Sequence, residues 1–206
     1  MKWIFIYGPG KSGSTYLLRL IREVADCSVS DWGLGSILRP LLNTVGGIDK
    51  ERFLNDLRSN LLESSKRNEN GQLDIVIKSA SGNAEEFECY KKMFGSPLML
   101  IFTIREPSGY MASALKKFPH LSMEELRQSY LQMFEVYAEV GGQIFDYLPN
   151  SKLEDYLSFL KILDFRNVEV EPFVYRGSKA DDLITQEMSE AYEAFLRDHS
   201  ENLFKS

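Results

Sequence analysis

The stretch KWIFIYGPGKSGSTYLLRLIREV, residues 2–24, decides how the rest of the chain is read. Residues 2–7 are an unbroken apolar, β-branched and aromatic run that stops at Gly8-Pro9-Gly10, the pattern of a buried strand. From Tyr16 onward the apolar residues Leu17, Leu18, Leu20, Ile21 and Val24 recur at the spacing of a helix packed on a sheet. Between them lies a loop of glycine, serine and lysine. Strand, glycine-rich loop and helix in that order expose several backbone N–H groups at the positive end of a helix dipole, which is a site for a phosphate-like anion.

Outward from this unit the same alternation repeats. A short strand is expected at 27–31, a long glycine-rich connection at 32–48, and a helix over about 50–63 capped by Asp49, with Phe53, Leu54, Leu57, Leu61 and Leu62 on one face. Gln72–Lys78 reads as a strand, 84–94 as a helix, and Leu98–Ile104 (LMLIFTI) as a deeply buried strand. Pro107 suits the first turn of a helix reaching about Phe118. Capping-box patterns at Ser122–Glu125 and Ser151–Glu154 open helices to about Val140 and Leu163. Residues 143–148 and 168–175 read as extended, and 183–198 as the last helix. Strands alternating with helices imply right-handed crossovers and a mainly parallel sheet with helices on both faces, a three-layer α/β/α architecture. Ligands then bind beyond the carboxyl ends of the strands.

Composition narrows the function. The chain of 206 residues suits a single domain over 1–206, and 44% hydrophobic with 26% charged residues is globular composition. A net charge of −6 gives no global positive field to recruit nucleic acid or an anionic membrane, so an anion must be gripped locally. Cys27 and Cys89 are far apart, with no metal-ligand spacing and no disulfide pattern. No stretch approaches the roughly 18–20 apolar residues of a membrane span, and the opening apolar run is too short for a secretion signal, so a soluble, cytoplasmic protein is expected.

Two loops carry the chemistry. In the first, Lys11 brings a mobile charge, and Ser12, Ser14 and Thr15 bring hydroxyls, beside Gly13. The ATPase and GTPase loop places its lysine directly after the last glycine; here Lys11 precedes Gly13. In the second, Arg105 ends a buried strand and Ser113 stands about two helical turns later, so that a planar fork and a hydroxyl converge on one anionic group.

Lys11-Ser12-Gly13-Ser14-Thr15-Tyr16-Leu17 resembles the K-S-G-T-T-W-L loop of the sulfotransferases that use 3′-phosphoadenosine 5′-phosphosulfate (PAPS). Arg105, Pro107, Ser113 and Phe118 are similar in spacing to the family's second motif, R-x-P-x-D-x-x-x-S-x-x-x-x-F, with Gly109 at its Asp position. The resemblance implies a P-loop NTPase-like sulfotransferase fold, a loop wrapping the 5′-phosphate, and Lys11 stabilising charge as sulfonate leaves. It implies Tyr16 against adenine in place of the family's Trp, and Arg105 with Ser113 on the 3′-phosphate. Arg176-Gly177 resembles the R-K-G segment that also meets that phosphate. The resemblance further implies 3′-phosphoadenosine 5′-phosphate (PAP) as product, a small molecule or glycan offering a hydroxyl or amine as acceptor, and no need for a metal.

The proton acceptor departs from the family. The cytosolic branch carries His in a strand-end K-T-H, and here Lys78-Ser79-Ala80 stands in its place. His120 and His199 read as solvated. Asp31, twenty residues after Lys11, matches the place of the Glu base in heparan-type relatives; it acts as base or caps a loop. Glu85 and Glu86 are lesser candidates for the base, or simply an exposed first helical turn. Lys78 either touches the ligand or snorkels from the strand end. Trp32, Leu34, Phe134 and Tyr137 either line an acceptor pocket or belong to the core. The competing expectations are a P-loop kinase needing ATP and Mg²⁺, and a degenerate relative that binds a nucleotide without transfer.

Overall fold

In the computed structural model, which describes residues 2–24, 28–30, 49–65, 67, 71, 73–79, 84–147 and 180–203, the run KWIFIY forms the central strand β1 (Lys2–Tyr7). On one side β1 pairs with β3 (Asp74–Ser79), which in turn pairs with β2 (Ser28–Ser30). On the other side it pairs with β4 (Met99–Ile104), which pairs with β5 (Gln143–Asp146). All pairings are parallel and the order is β2-β3-β1-β4-β5. Every strand therefore ends on the same edge. The chain leaves β1 toward β3 and leaves β4 toward β5, so the strand order reverses between β1 and β4, and a crevice opens there beyond their carboxyl ends.

Period-2 alternation divides the buried residues between two faces. Trp3, Phe5, Tyr7, Ile75, Ile77, Phe102, Ile104 and Ile144 form one cluster with Phe87, Tyr90 and Phe94 of α3 (Ala84–Phe94), Met133 and Tyr137 of α5 (Met123–Val140) and Phe195 of α6 (Gln186–Asp198). Phe53 and Leu57 of α2 (Lys50–Ser64) pack against its rim. Ile4, Ile6, Val76 and Ile101 point the other way and are equally buried. That face is covered by α1 (Ser14–Val24), whose Leu17, Leu18, Leu20 and Ile21 are almost wholly removed from water, each contributing about 1.5–3 kcal/mol. Helix, sheet and helix give the three-layer α/β/α architecture.

Local signals fix the helix ends. The Asp49 carboxylate accepts from the Arg52 N–H at 3.0 Å. Ser122 and Glu125 complete both arms of a capping box, and Pro107 opens α4 (Pro107–Lys117) in its first turn. Two expectations are corrected, and for Phe134 and Tyr137 one of two open readings is decided. Leu98 is 51% exposed and β4 begins one residue later, although the Leu98 N–H already donates to the Trp3 carbonyl oxygen of β1 at 2.8 Å. Glu86 is fully buried, with Oε1 accepting from the Tyr90 hydroxyl at 2.9 Å, rather than solvated in a first turn. Phe134 and Tyr137 face Phe195, with ring centroids at 4.8 and 4.9 Å, and belong to the core. The expected connection at 32–48, the helix at 151–163 and the strand at 168–175 lie outside the described residues. Among the described residues no helix is long and apolar enough to cross a membrane.

Candidate functional site: a cation-lined cavity at the strand-order switch

The loop after β1 is shaped by close approach. Gly8 has φ +147°, and a Cβ there would run into the Thr103 carbonyl oxygen of β4 and lie 2.6 Å from Thr103 Oγ1. Only glycine lets the turn leave the sheet so close to its neighbour. The Thr103 hydroxyl donates to the Tyr7 carbonyl oxygen at 3.2 Å, so the Ser12 hydroxyl donates to Thr103 Oγ1 at 2.6 Å. Ser12 is 0% exposed and its N–H donates to the Pro9 carbonyl oxygen at 3.1 Å. The expectation that the Ser12 hydroxyl faces an anion is therefore corrected: it pins the loop to β4. Lys11, next to it, has φ +83°, the left-handed region that a side chain disfavours.

The loop then enters α1, where Leu17 N–H returns to the Gly13 carbonyl oxygen at 3.0 Å. Helical geometry leaves the N–H groups of this first turn without intrahelical acceptors, at the positive end of the dipole. Gly10, Lys11, Gly13, Ser14, Thr15 and Tyr16 line one cavity of about 430 Å³, and Arg105 and Ser113 from the second loop line the same cavity. The two sequence motifs, some ninety residues apart, thus meet in the crevice between β1 and β4. Arg105 is 2% exposed; its Nη1 donates to Ser113 Oγ at 3.0 Å, and its carbonyl oxygen accepts from the Tyr130 hydroxyl at 2.7 Å. Gly109 of α4 lies directly against the Arg105 guanidinium. A Cβ at that position would lie 2.7 Å from Arg105 Cζ and Nη2, so the bare backbone of α4 makes room for the guanidinium.

Lys78 is 8% exposed at the end of β3 and donates from Nζ to Thr15 Oγ1 at 2.9 Å. It lines the cavity beside Thr15. Arg19, Lys117, Phe118 and Tyr147 also line the cavity and were not read from the sequence as site residues. For Arg19 and Lys117 the signal was present. Arg19 stands one helical turn after Thr15 and Lys117 one turn after Ser113, on the same helix faces; Tyr147 directly follows the strand beside β4. The cavity gathers Lys11, Arg19, Lys78, Arg105 and Lys117, with no carboxylate among its described lining, in a chain of net charge −6. Neither His120 nor His199 lines it. Asp31, Ala80, Trp32, Leu34, Arg176 and Gly177 lie outside the described residues.

No protein-family model matches the chain, and no curated protein matches it either. Among solved structures, the crystal structure of APE1195 is similar over 79% of this chain and 93% of its own, at 15% identity and a TM-score of 0.39. Nothing about this chain's function rests on that likeness. The cavity, lined by five cationic side chains, suits a ligand carrying more than one anionic group.

Proposed function

We propose that this chain is a sulfotransferase that moves a sulfonate group from PAPS to a hydroxyl or amine of an acceptor and releases PAP. The observation that supports this reading best is the convergence of Lys11, Gly13, Ser14, Thr15 and Tyr16 with Arg105 and Ser113 in one cation-lined cavity. Two phosphate-bearing ends of one nucleotide need two cradles, and here two are present. The main-chain N–H groups of the α1 first turn and Lys11 suit the 5′-phosphosulfate, and the Arg105–Ser113 pair suits the 3′-phosphate. Tyr16 offers an aromatic ring for stacking on the base, and Arg176 with Gly177 adds to the 3′-phosphate contacts.

In the reaction the acceptor oxygen or nitrogen bonds to sulfur as the bond from sulfur to the bridging phosphate oxygen breaks. The negative charge left on that oxygen is met by the Lys11 ammonium and the loop N–H groups, fixed before the reaction begins. Asp31 takes the acceptor proton. A general base of this kind contributes about 10²–10⁴-fold, so Asp31→Asn loses turnover while PAP affinity stays.

Thermal unfolding with PAP, with ADP, and with ATP plus Mg²⁺ tests the reading. At about 100 times its dissociation constant a ligand adds roughly 2.7 kcal/mol, or about 5–11 °C for a domain of this size. The expected result is a shift with PAP that Arg105→Ala abolishes. A shift with ATP and Mg²⁺ instead replaces the sulfotransferase reading with a kinase one. PAP binding that persists without any transfer, whatever acceptor is offered, points to a nucleotide-binding relative that has lost catalysis.

A further inference from the structure

Tyr147 touches both cradles. It is 4% exposed and lines the cavity, yet it belongs to neither motif. A Cβ on Gly13 would lie 2.6 Å from Tyr147 Cβ and 2.7 Å from its Cγ, so the bare Cα of the first loop rests against the root of the ring. The Tyr16 ring stands edge-on to it, with centroids 5.2 Å apart at 62°. Arg105 Cζ lies 5.3 Å from the same ring's centroid, in cation–π range. The guanidinium is thus bounded by the Tyr147 ring, by the bare Gly109 backbone and by Ser113 Oγ.

The ring itself is anchored through the main chain. Tyr147 N–H donates to the carbonyl oxygen of Ile104, the residue before Arg105, at 2.8 Å. One residue earlier, the Tyr192 hydroxyl of α6 lies 2.9 and 2.8 Å from the two carboxylate oxygens of Asp146. A flat side chain with two torsions, held at its backbone and wedged between a glycine turn and a guanidinium, has little freedom to move. We infer that Tyr147 is a positioning residue: it fixes the Gly13 turn and Arg105 against each other, and so sets the cavity for a ligand whose two anionic groups stand apart at a fixed separation rather than joined to one another. The inference rests on the sulfotransferase reading for the choice of nucleotide.

PAP and ADP have the same nucleoside and two phosphates each, apart in PAP and contiguous in ADP, so calorimetric titration of both reads the separation directly. Wild-type protein is expected to prefer PAP by about tenfold or more, the worth of one charge-assisted contact in register. Tyr147→Met keeps apolar bulk but removes the plane, and brings the ratio of the two dissociation constants at least about fivefold closer to one; Tyr147→Phe restores it. Gly109→Ala, which displaces Arg105 without touching Tyr147, produces the same collapse and serves if Tyr147→Met does not fold. A folded Tyr147→Met protein that binds both nucleotides with an unchanged ratio, however weakened, overturns the inference, because a merely structural ring weakens both alike. An unchanged ratio in Gly109→Ala, where that variant has to serve, overturns it too. A wild-type protein that binds ADP as tightly as PAP overturns the sulfotransferase reading and the inference with it, whereas a wild-type preference for PAP that Tyr147→Met leaves unchanged overturns the inference alone. Absence of binding by both nucleotides overturns both.

Discussion

The two loops that meet in the cavity are built by opposite means. The loop after β1 works through its main chain: Gly8, Lys11 and Gly13 all have positive φ, and the donors it presents are those of a helix start. The loop after β4 has no positive φ between Arg105 and Ser113, and works through one buried side chain held by a hydroxyl, a ring and a glycine notch. Strain is stored in the backbone of the first and a buried charge in the second. The first is therefore sensitive to the addition of a Cβ, and the second to a change of head group.

Gly8→Ala breaks the first loop and has the largest expected effect. The new Cβ meets the Thr103 carbonyl oxygen, a backbone atom that cannot swing away, at φ +147°. Conformational strain and overpacking together amount to about 3–5 kcal/mol, or a melting temperature lower by roughly 6–20 °C. A change under about 2 °C would mean that β1 and β4 do not approach as closely as this. In the second loop, Arg105→Lys keeps the charge and discards the planar fork to Ser113. Stability falls less than in Gly8→Ala, but PAP affinity falls roughly 30–100-fold, about 2–3 kcal/mol. Equal affinity for PAP in a calorimetric titration would show that the cavity needs only a point charge there.

The contrast also explains what the sequence disclosed. Backbone-directed features are spelled by residue type, so KWIFIY, the glycine loop, the Asp49 and Ser122 caps and Pro107 all gave their elements within a residue or two. Arg105 and Ser113 were legible because one strand and one helix set their spacing. Tyr147 was not, since its place at the cavity arises from β5 lying beside β4, a long-range pairing with no local signature. Ser12 was misread for a related reason: nothing in Lys11-Ser12-Gly13 says which hydroxyl turns inward, and the Thr103 that captures it is ninety-one residues away. Phe134 and Tyr137 have the composition of a pocket wall or of a core, and only the position of Phe195 decides between them.

Asp146 lies behind both loops, one residue before Tyr147, and its titration tests their shared support. Burial pushes its carboxyl up to about 6, with Glu106 adding to the rise and the Tyr192 hydroxyl opposing it. The unfolded value is about 4. Between these pH values the folded protein keeps a proton that the unfolded chain has released, so the stability this group contributes is present below about pH 4 and lost as pH rises through about 6. Asp146→Asn removes that loss while still accepting from Tyr192. Relative to wild type, the variant gains about 1–2 kcal/mol between pH 4.5 and pH 7. Parallel curves of melting temperature against pH for the two proteins would show that Asp146 titrates as an ordinary surface carboxylate.

The smallest effect isolates the strain at Lys11 from its charge. Lys11→Ala and Lys11→Gly both remove the ammonium, so both weaken PAP binding and, in the proposed reaction, slow transfer alike. They differ in what φ +83° asks of the backbone. Alanine keeps the Cβ that makes this region unfavourable by roughly 1–2 kcal/mol, whereas glycine adopts it freely but gives the unfolded chain about 0.4–1 kcal/mol of extra freedom. The balance favours glycine by about 0.5–1 kcal/mol, or roughly 1–4 °C in the melting temperature of unliganded protein. If instead alanine is the more stable, the left-handed turn at residue 11 does not exist in the unliganded protein. The first loop then takes its shape only around an anion, while the second is built in advance.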